Sequence, residues 1–256
     1  MSGEKKIENT IADSLNTRLR IAKIKAIDNT VFEAGSFIGK GTPIINYRLL
    51  KPEQITKKVP LIIVFHGSGA VGKDNIAQLG ILAKLWAMPE IKSNYPAYVL
   101  APQFLTRSSN YVEDKQRGLL TSVAQPCLET ALQLIDSLKT SLNVDVTRIY
   151  AVGFSMGGSS VINVLSARPD LFAAGISISG IPQFDKAKIL STMPLWLMHG
   201  NLDTENPFAS DAQFYKELQH KKRFWEFDGK AHNDIFSSLI LGEAIPKWLF
   251  KHKKAN

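Results

Sequence analysis

A single cysteine, Cys127, rules out any disulfide within the chain, and with it the cystine-framework class of small secreted domains. No apolar run approaches the length that crosses a bilayer, so no membrane span is expected. No leader with a basic start and an apolar middle opens the sequence either. The cytoplasm is therefore the default compartment, although the mature form of a secreted protein would read the same. Repeats, low-complexity tracts and Pro/Ser-rich linkers are absent. The expectation is one domain over residues 1–256, with the more polar segment 1–19 loosely attached. Acidic residues are the minority charge, 23 against 31 Lys and Arg, giving a formal net charge of +8 and a pI near 9.4. The basic residues are scattered, with small clusters at Lys5-Lys6, Lys221-Lys222-Arg223 and Lys251 to Lys254. No basic-aromatic stripe or known module accompanies them, so no nucleic-acid partner is expected. The excess reads as a solvated surface that modestly favours anionic substrates.

What is present is 45% hydrophobic residues in 256, enough for one α/β domain with a substantial core. Short apolar runs at Ile44 to Leu50, Leu61 to Phe65, Tyr98 to Ala101, Arg148 to Val152, Ala174 to Ser179, Leu195 to His199 and Phe224 to Phe227 predict strands. Between them, Ile76 to Met88, Pro126 to Ser141, Ser155 to Ala167, Phe208 to His220 and Asp234 to Lys251 predict helices. Arg20 to Ile27 alternates apolar and basic residues and predicts an edge strand. The alternation of strand and helix predicts a mostly parallel central sheet with helices on both faces.

The chemistry centres on Gly153-Phe154-Ser155-Met156-Gly157-Gly158, directly behind one predicted strand and opening a predicted helix. This is the strand–turn–helix context of a G-x-S-x-G nucleophile elbow. A turn that lifts a serine hydroxyl clear of the backbone brings strand and helix together, and side chains two residues either side would clash. A serine hydroxyl also needs a base to take its proton and a third group to orient that base, in the order Ser, acid, His. Asp203 and His232 fit, each in the loop behind a predicted strand, where sites form in open α/β sheets. His66 and His199 fall outside that order, and His199 is expected to hold its strand end. His220 and His252 lie among lysines and are expected on the solvated surface. The rival acids are Asp170, Asp185, Asp211, Asp228 and Asp234. Among them Asp170 and Asp228 fit turns, and Asp234 stands too close to His232 to orient it.

An oxyanion hole would take one backbone N–H from Met156 and another from the loop behind Leu61 to Phe65. There the N–H of Ser68 is the first choice and that of Gly69 the second. The same loop, Gly67 to Lys73, fits G-x-G-x-x-G and G-x-x-x-x-G-K literally. A dinucleotide site would want an acidic residue about 20 positions on, after a second strand, and a P-loop would want Ser or Thr where Asp74 stands. His199 and Asp203 lack a third ligand at recognisable spacing, so no metal is expected.

With these residues in hand, the chain resembles the α/β-hydrolase superfamily. More narrowly, it resembles bacterial esterases related to feruloyl esterases, polyhydroxybutyrate depolymerases and the phospholipase/carboxylesterase group. The resemblance rests on Tyr47 to Pro52, Phe65 to Gly69 with Gly72 to Asn75, Leu100 to Gln103, and Arg148 to Gly158. It continues through Pro169 to Ala174, Trp196 to Asp203 with Pro207, His232, and Trp248 to Phe250. It implies Ser155 as nucleophile, Asp203 as acid and His232 as base. Asn206 stands where the family usually has valine, and Tyr111 where many relatives have tryptophan.

The segment between Gly180 and Pro194 is too short for a large cap domain, so an open site is expected. Phe104, Tyr111, Trp86 and Ile181 are the candidates for lining an acyl or aryl slot, with plain core packing as their alternative role. The resulting expectation is a serine hydrolase of carboxylic esters, short-chain, aryl or feruloyl-type, acting on a small or polymer-attached substrate without cofactor. Oligomeric state is left open. A peptidase of the same fold and a non-catalytic binding protein on this scaffold are the alternatives, and a binder would not need all three groups.

Overall fold

The computed structural model describes residues 4–8, 14–53, 56–219, 222–237 and 240–255. The strands are β1 (Glu4–Glu8), β2 (Glu33–Ile38), β3 (Ile44–Leu50), β4 (Val59–Phe65), β5 (Tyr98–Gln103), β6 (Ser109–Asp114), β7 (Leu119–Ala124), β8 (Val144–Phe154), β9 (Ala174–Ile178), β10 (Leu195–Gly200) and β11 (Lys222–Phe227). The helices are α1 (Ser14–Lys25), α2 (Ile81–Lys84), α3 (Pro89–Asn94), α4 (Cys127–Ser141), α5 (Met156–Ala167), α6 (Ala187–Leu190), α7 (Phe208–Glu217) and α8 (Ala244–Leu249).

Nine strands form one sheet in the order β1-β11-β10-β9-β8-β4-β5-β3-β2. It is parallel from β1 to β5 and antiparallel across β5-β3-β2. The expected mostly parallel sheet with helices on both faces is therefore present. Strand β4 shows why. Successive side chains point to opposite faces. Leu61, Ile63 and Phe65 join one core with Val161, Ile162 and Leu165 of α5, while Ile62 and Val64 join the other with Ile24 of α1 and Ile245 and Leu249 of α8. Every residue of β4 is buried, which suits a strand covered on both sides. Each such aliphatic side chain contributes about 1.5–3 kcal/mol by leaving water. Helix α4 packs through Leu128, Ala131, Leu132, Ile135 and Leu138, the i, i+3, i+4, i+7 stripe of an amphipathic helix.

Several local expectations are corrected. Arg20 to Ile27 is not an edge strand: residues through Lys25 belong to α1, which buries Ile24 completely. The i, i+3 pair Ile21 and Ile24 decides the conformation over the short alternating run. The predicted helix from Ile76 starts only at Ile81, because Asp74 caps the Ile76 and Ala77 N–H groups in a turn and Gly80 precedes the helix. The predicted helix from Asp234 to Lys251 resolves into a 3-10 turn, His232–Ile235, and the six-residue α8. The hairpin β6-β7 and strands β1 and β2 have no counterpart among the predicted strands. Segment 180–194 holds a 3-10 turn, Phe184–Lys186, and the four-residue α6, and no large cap. Within segment 1–19, residues 4–8 pair in parallel with β11 and residues from Ser14 belong to α1. No helix among the described residues is long and apolar enough to cross a membrane.

Candidate active site

Ser155 follows β8 directly, Asp203 lies three residues beyond β10, and His232 five beyond β11. All three therefore stand at the carboxyl ends of parallel strands. Ser155 has φ 59° and ψ −125°, a backbone conformation that L side chains rarely adopt. Its neighbours make the turn possible. A Cβ on Gly153 would stand 2.2 Å from the Gly157 carbonyl oxygen, and one on Gly157 would stand 2.2 Å from that of Phe65. The elbow is held by the Ser155 N–H, which donates to the Ile178 carbonyl at 2.8 Å.

Asp203 is almost fully buried, and four hydrogen bonds converge on it. Its Oδ1 accepts the N–H groups of Glu205 at 3.0 Å and Asn206 at 2.9 Å. Its Oδ2 meets His232 Nδ1 at 2.6 Å and His199 Nε2 at 3.1 Å. Burial opposes its charge, but the hydrogen bonds from His199, His232 and the Asn206 N–H outweigh that and hold the carboxyl well below the usual range. The His232 ring packs on Phe154, the residue before Ser155, with centroids 4.8 Å apart. The structure thus joins Asp203 to His232 by a hydrogen bond and brings His232 against the elbow. A Ser155–His232 hydrogen bond is not among those made by the described residues.

Among the rival acids, Asp211 bonds His199 rather than His232, Asp170 pairs with Arg168, and Asp228 accepts from Asn201. His199 does more than hold a strand end. It is fully buried, with Asp211 Oδ2 2.8 Å from Nδ1. Burial alone would lower its pKa, but hydrogen bonds to Asp203 and Asp211 raise it to about 9. His66 is tied to the Gly67 carbonyl and the Phe104 N–H, and its burial lowers its pKa. His252 is half-buried against Trp248 rather than freely solvated, while His220 lies outside the described residues.

Behind β4, Ser68–Ala70 forms a 3-10 turn that faces the elbow. A Cβ on Gly67 would stand 3.6 Å from that of Ser155. Neither the Ser68 nor the Gly69 N–H finds a protein acceptor among the described residues. Met156 opens α5, whose first N–H groups have no partner within the helix. Asp74, in the glycine loop, accepts from Ile76, Ala77 and Gln103.

Three of the four slot candidates, Trp86, Phe104 and Ile181, are buried in the core. Trp86 is 2% and Phe104 1% exposed, and they pack on opposite faces of the sheet, because both sheet faces must be covered by large apolar side chains. Ile181 is buried, and its N–H donates to Ser159 Oγ at 2.8 Å. Tyr111 does come near: its hydroxyl lies 3.2 Å from Ser159 Oγ and 3.4 Å from Asn206 Nδ2. A cavity of about 140 Å³ opens instead beside Phe154, lined by His66, Gln78, Ile81, Leu82 and Phe236 among others. Phe154, the residue between Gly153 and Ser155, was the sequence signal for it. No group of three or more His, Cys, Asp or Glu among the described residues is placed to hold a metal.

Over 87 residues the chain is 35% identical to a bifunctional acetylxylan esterase/xylanase of Neocallimastix patriciarum, a match covering 34% of this chain and 13% of that protein. Over 111 residues it is 33% identical to cutinase 1 of Thermobifida cellulosilytica, covering 41% of each. The chain thus spans less than half the length of these relatives. A crystal structure of a thermostable esterase superposes with a TM-score of 0.79 at 28% identity, covering 88% of this chain and 64% of that one. Residues 45–233, from β3 through His232, match the dienelactone hydrolase family, and the chain belongs to that family of the α/β-hydrolase superfamily.

Proposed function

We propose that the chain hydrolyses carboxylic esters through an acyl-enzyme on Ser155. The observation that carries this reading is the 2.6 Å Asp203–His232 hydrogen bond beside a serine held at positive φ. In this reading His232 takes the Ser155 proton, Oγ attacks the ester carbonyl carbon, and His232 returns the proton to the departing alcohol. Asp203 holds the imidazole tautomer and balances its charge. The N–H groups of Met156 and Ser68 receive the oxyanion, with Gly69 as the second choice for the latter. Water then cleaves the acyl-enzyme by the same proton path.

The substrate reading is a short-chain or aryl ester. The cavity beside Phe154, at about 140 Å³, matches a void of roughly 150 Å³ known to take one benzene ring. With no large cap over the site, the rest of a small or polymer-attached substrate can lie outside. The test is a panel of acetate, butyrate, long-chain and feruloyl esters with peptide anilides, run on wild type and Ser155→Ala. Acetate and butyrate esters should be turned over well above long-chain ones, with no jump in rate when the substrate forms an interface. Ser155→Ala should fall to near background; retention of more than about a tenth of wild-type turnover overturns the reading. Preferred cleavage of the anilides would make the chain a peptidase of the same fold.

A further inference from the structure

His199 is built into this molecule in a way that strand packing alone does not require. Its ring is completely buried, yet both nitrogens face hydrogen-bond acceptors. Nε2 lies 3.1 Å from Asp203 Oδ2 and 2.9 Å from the Asn206 carbonyl oxygen. A carbonyl can only accept, so Nε2 carries a proton. Nδ1 lies 2.8 Å from Asp211 Oδ2, and a proton lies between those two atoms as well. Asp211 is itself fully buried on α7, its Oδ1 has no hydrogen-bond partner, and burial raises its pKa. The result is a continuous line from Asp211 through His199 and Asp203 to His232. A buried ionic group of this kind is a poor way to gain stability, since desolvation offsets most of the attraction. Its place against the candidate acid, with both ring nitrogens engaged, points to a role in placing that acid.

We propose that His199 is a positioning residue: held as an imidazolium between Asp211 and Asp203, it fixes the Asp203 carboxylate toward His232 and carries part of its charge. This rests on the reading of Asp203 as the orienting acid. The neutral alternative keeps the same two protons by placing one on Asp211 Oδ2, which leaves Asp203 with no cation at its side, and the protonation of the His199 ring tells the two apart. The groups facing the cluster are few. Phe208 meets the His199 ring edge-on at 5.8 Å, and Glu226 on β11 stands opposite His199 in register, its carboxylate taken by Asn201. Asn201 also bonds Asp228. On the far side Glu205 reaches to 3.9 Å from His232 Nε2.

The experiment has two arms. In the intact protein, the ¹⁵N shifts of the His199 ring are followed against pH by NMR. Both nitrogens should be protonated at pH 7.5, and a neutral ring there overturns the proposal. This arm reads His199 whether or not any ester is cleaved, so its outcome is separable from that of the Ser155→Ala test. The second arm is the kcat/KM pH profile of His199→Gln. Removing a cation from beside Asp203 leaves a more negative field at His232, so the acid limb should move up by about half a pH unit or more. kcat should drop about tenfold while KM stays within about twofold. A merely structural role would lower the folded fraction and leave the limb in place, and an unmoved limb with unchanged kcat overturns the proposal. Should His199→Gln not fold, Asp211→Asn takes its place. It removes the anion beside Nδ1 and should lower the pH at which His199 loses its proton; no change there overturns the proposal.

Discussion

His199 and His232 both bond Oδ2 of Asp203, yet they occupy opposite kinds of surroundings. His199 belongs to strand β10 itself, has no exposure, and meets a carboxylate at each nitrogen. His232 stands in the loop beyond β11, where one nitrogen meets Asp203 and the other lies 3.9 Å from Glu205 Oε2. On the proposed reading, one side-chain type would serve as a fixed charge where a strand holds it and as a proton carrier where a loop presents it. Rigid elements place groups; the loops at strand ends are where groups exchange protons with a substrate.

The comparison breaks most visibly at the residue the two histidines share. Asp203→Asn should lower kcat/KM for a p-nitrophenyl ester by on the order of 10⁴-fold, because the imidazole then settles in the wrong tautomer. A loss under tenfold in steady-state assays would separate Asp203 from the chemistry. The histidines themselves should divide activity from stability. His199→Leu leaves Asp211 buried without its partner and should cost about 3–5 kcal/mol in urea unfolding. His232→Ala should abolish turnover and change stability by about 1 kcal/mol or less, and equal stability losses for the two would erase the contrast.

A pH series sharpens it further. The His199 pKa is raised in the folded state, from 6.5 to about 9, so its contribution to stability is complete below about pH 6.5 and is lost as pH rises through about 9. Asp203 is shifted the other way, so its contribution holds above the ordinary carboxylate value of 3.8 and is lost as pH falls below that. Unfolding free energies measured from pH 4 to 10 should therefore decline on the alkaline side in wild type, and decline less in His199→Gln. The smallest effect concerns the cavity. Ile81→Phe narrows it and should shift preference from aryl toward acetate esters by about tenfold, the scale of a few methylenes in a pocket. Unchanged ratios would move the substrate slot elsewhere.

Much of this was legible in the sequence because it depends on local sterics and chain order. The glycines around Ser155 announce a backbone approach that nothing larger permits, and the order of Ser155, Asp203 and His232 follows the strand ends. The strands buried on both faces, such as β4, are continuous apolar runs that admit little else. What was not legible depends on contacts between separate elements. Asp211 comes from α7 and finds His199 only once α7 packs on β10. Trp86 and Phe104 are aromatic residues near the site in sequence, but the need to cover both sheet faces draws them into the core. The hairpin β6-β7 lacks a strong apolar alternation; its signal was the turn from Asp114 to Gly118, where Gly118 takes φ 61°.

The outermost strand pairing sets the order in which this site can assemble. In β1 residue 4 lies opposite residue 223 of β11, so the strand that leads to His232 is flanked by β10 on one side and by β1 on the other. Pairing across so long a stretch of chain is slow, since loop closure must come before the contacts that reward it. During synthesis β1 has no partner until β11 has emerged, and until then it leaves an unpaired edge that invites association with other chains. Ser155 can stand on a finished elbow well before that moment. His232 follows only after β11, so a chain still being made can hold the Ser155 elbow before the residue proposed as its base.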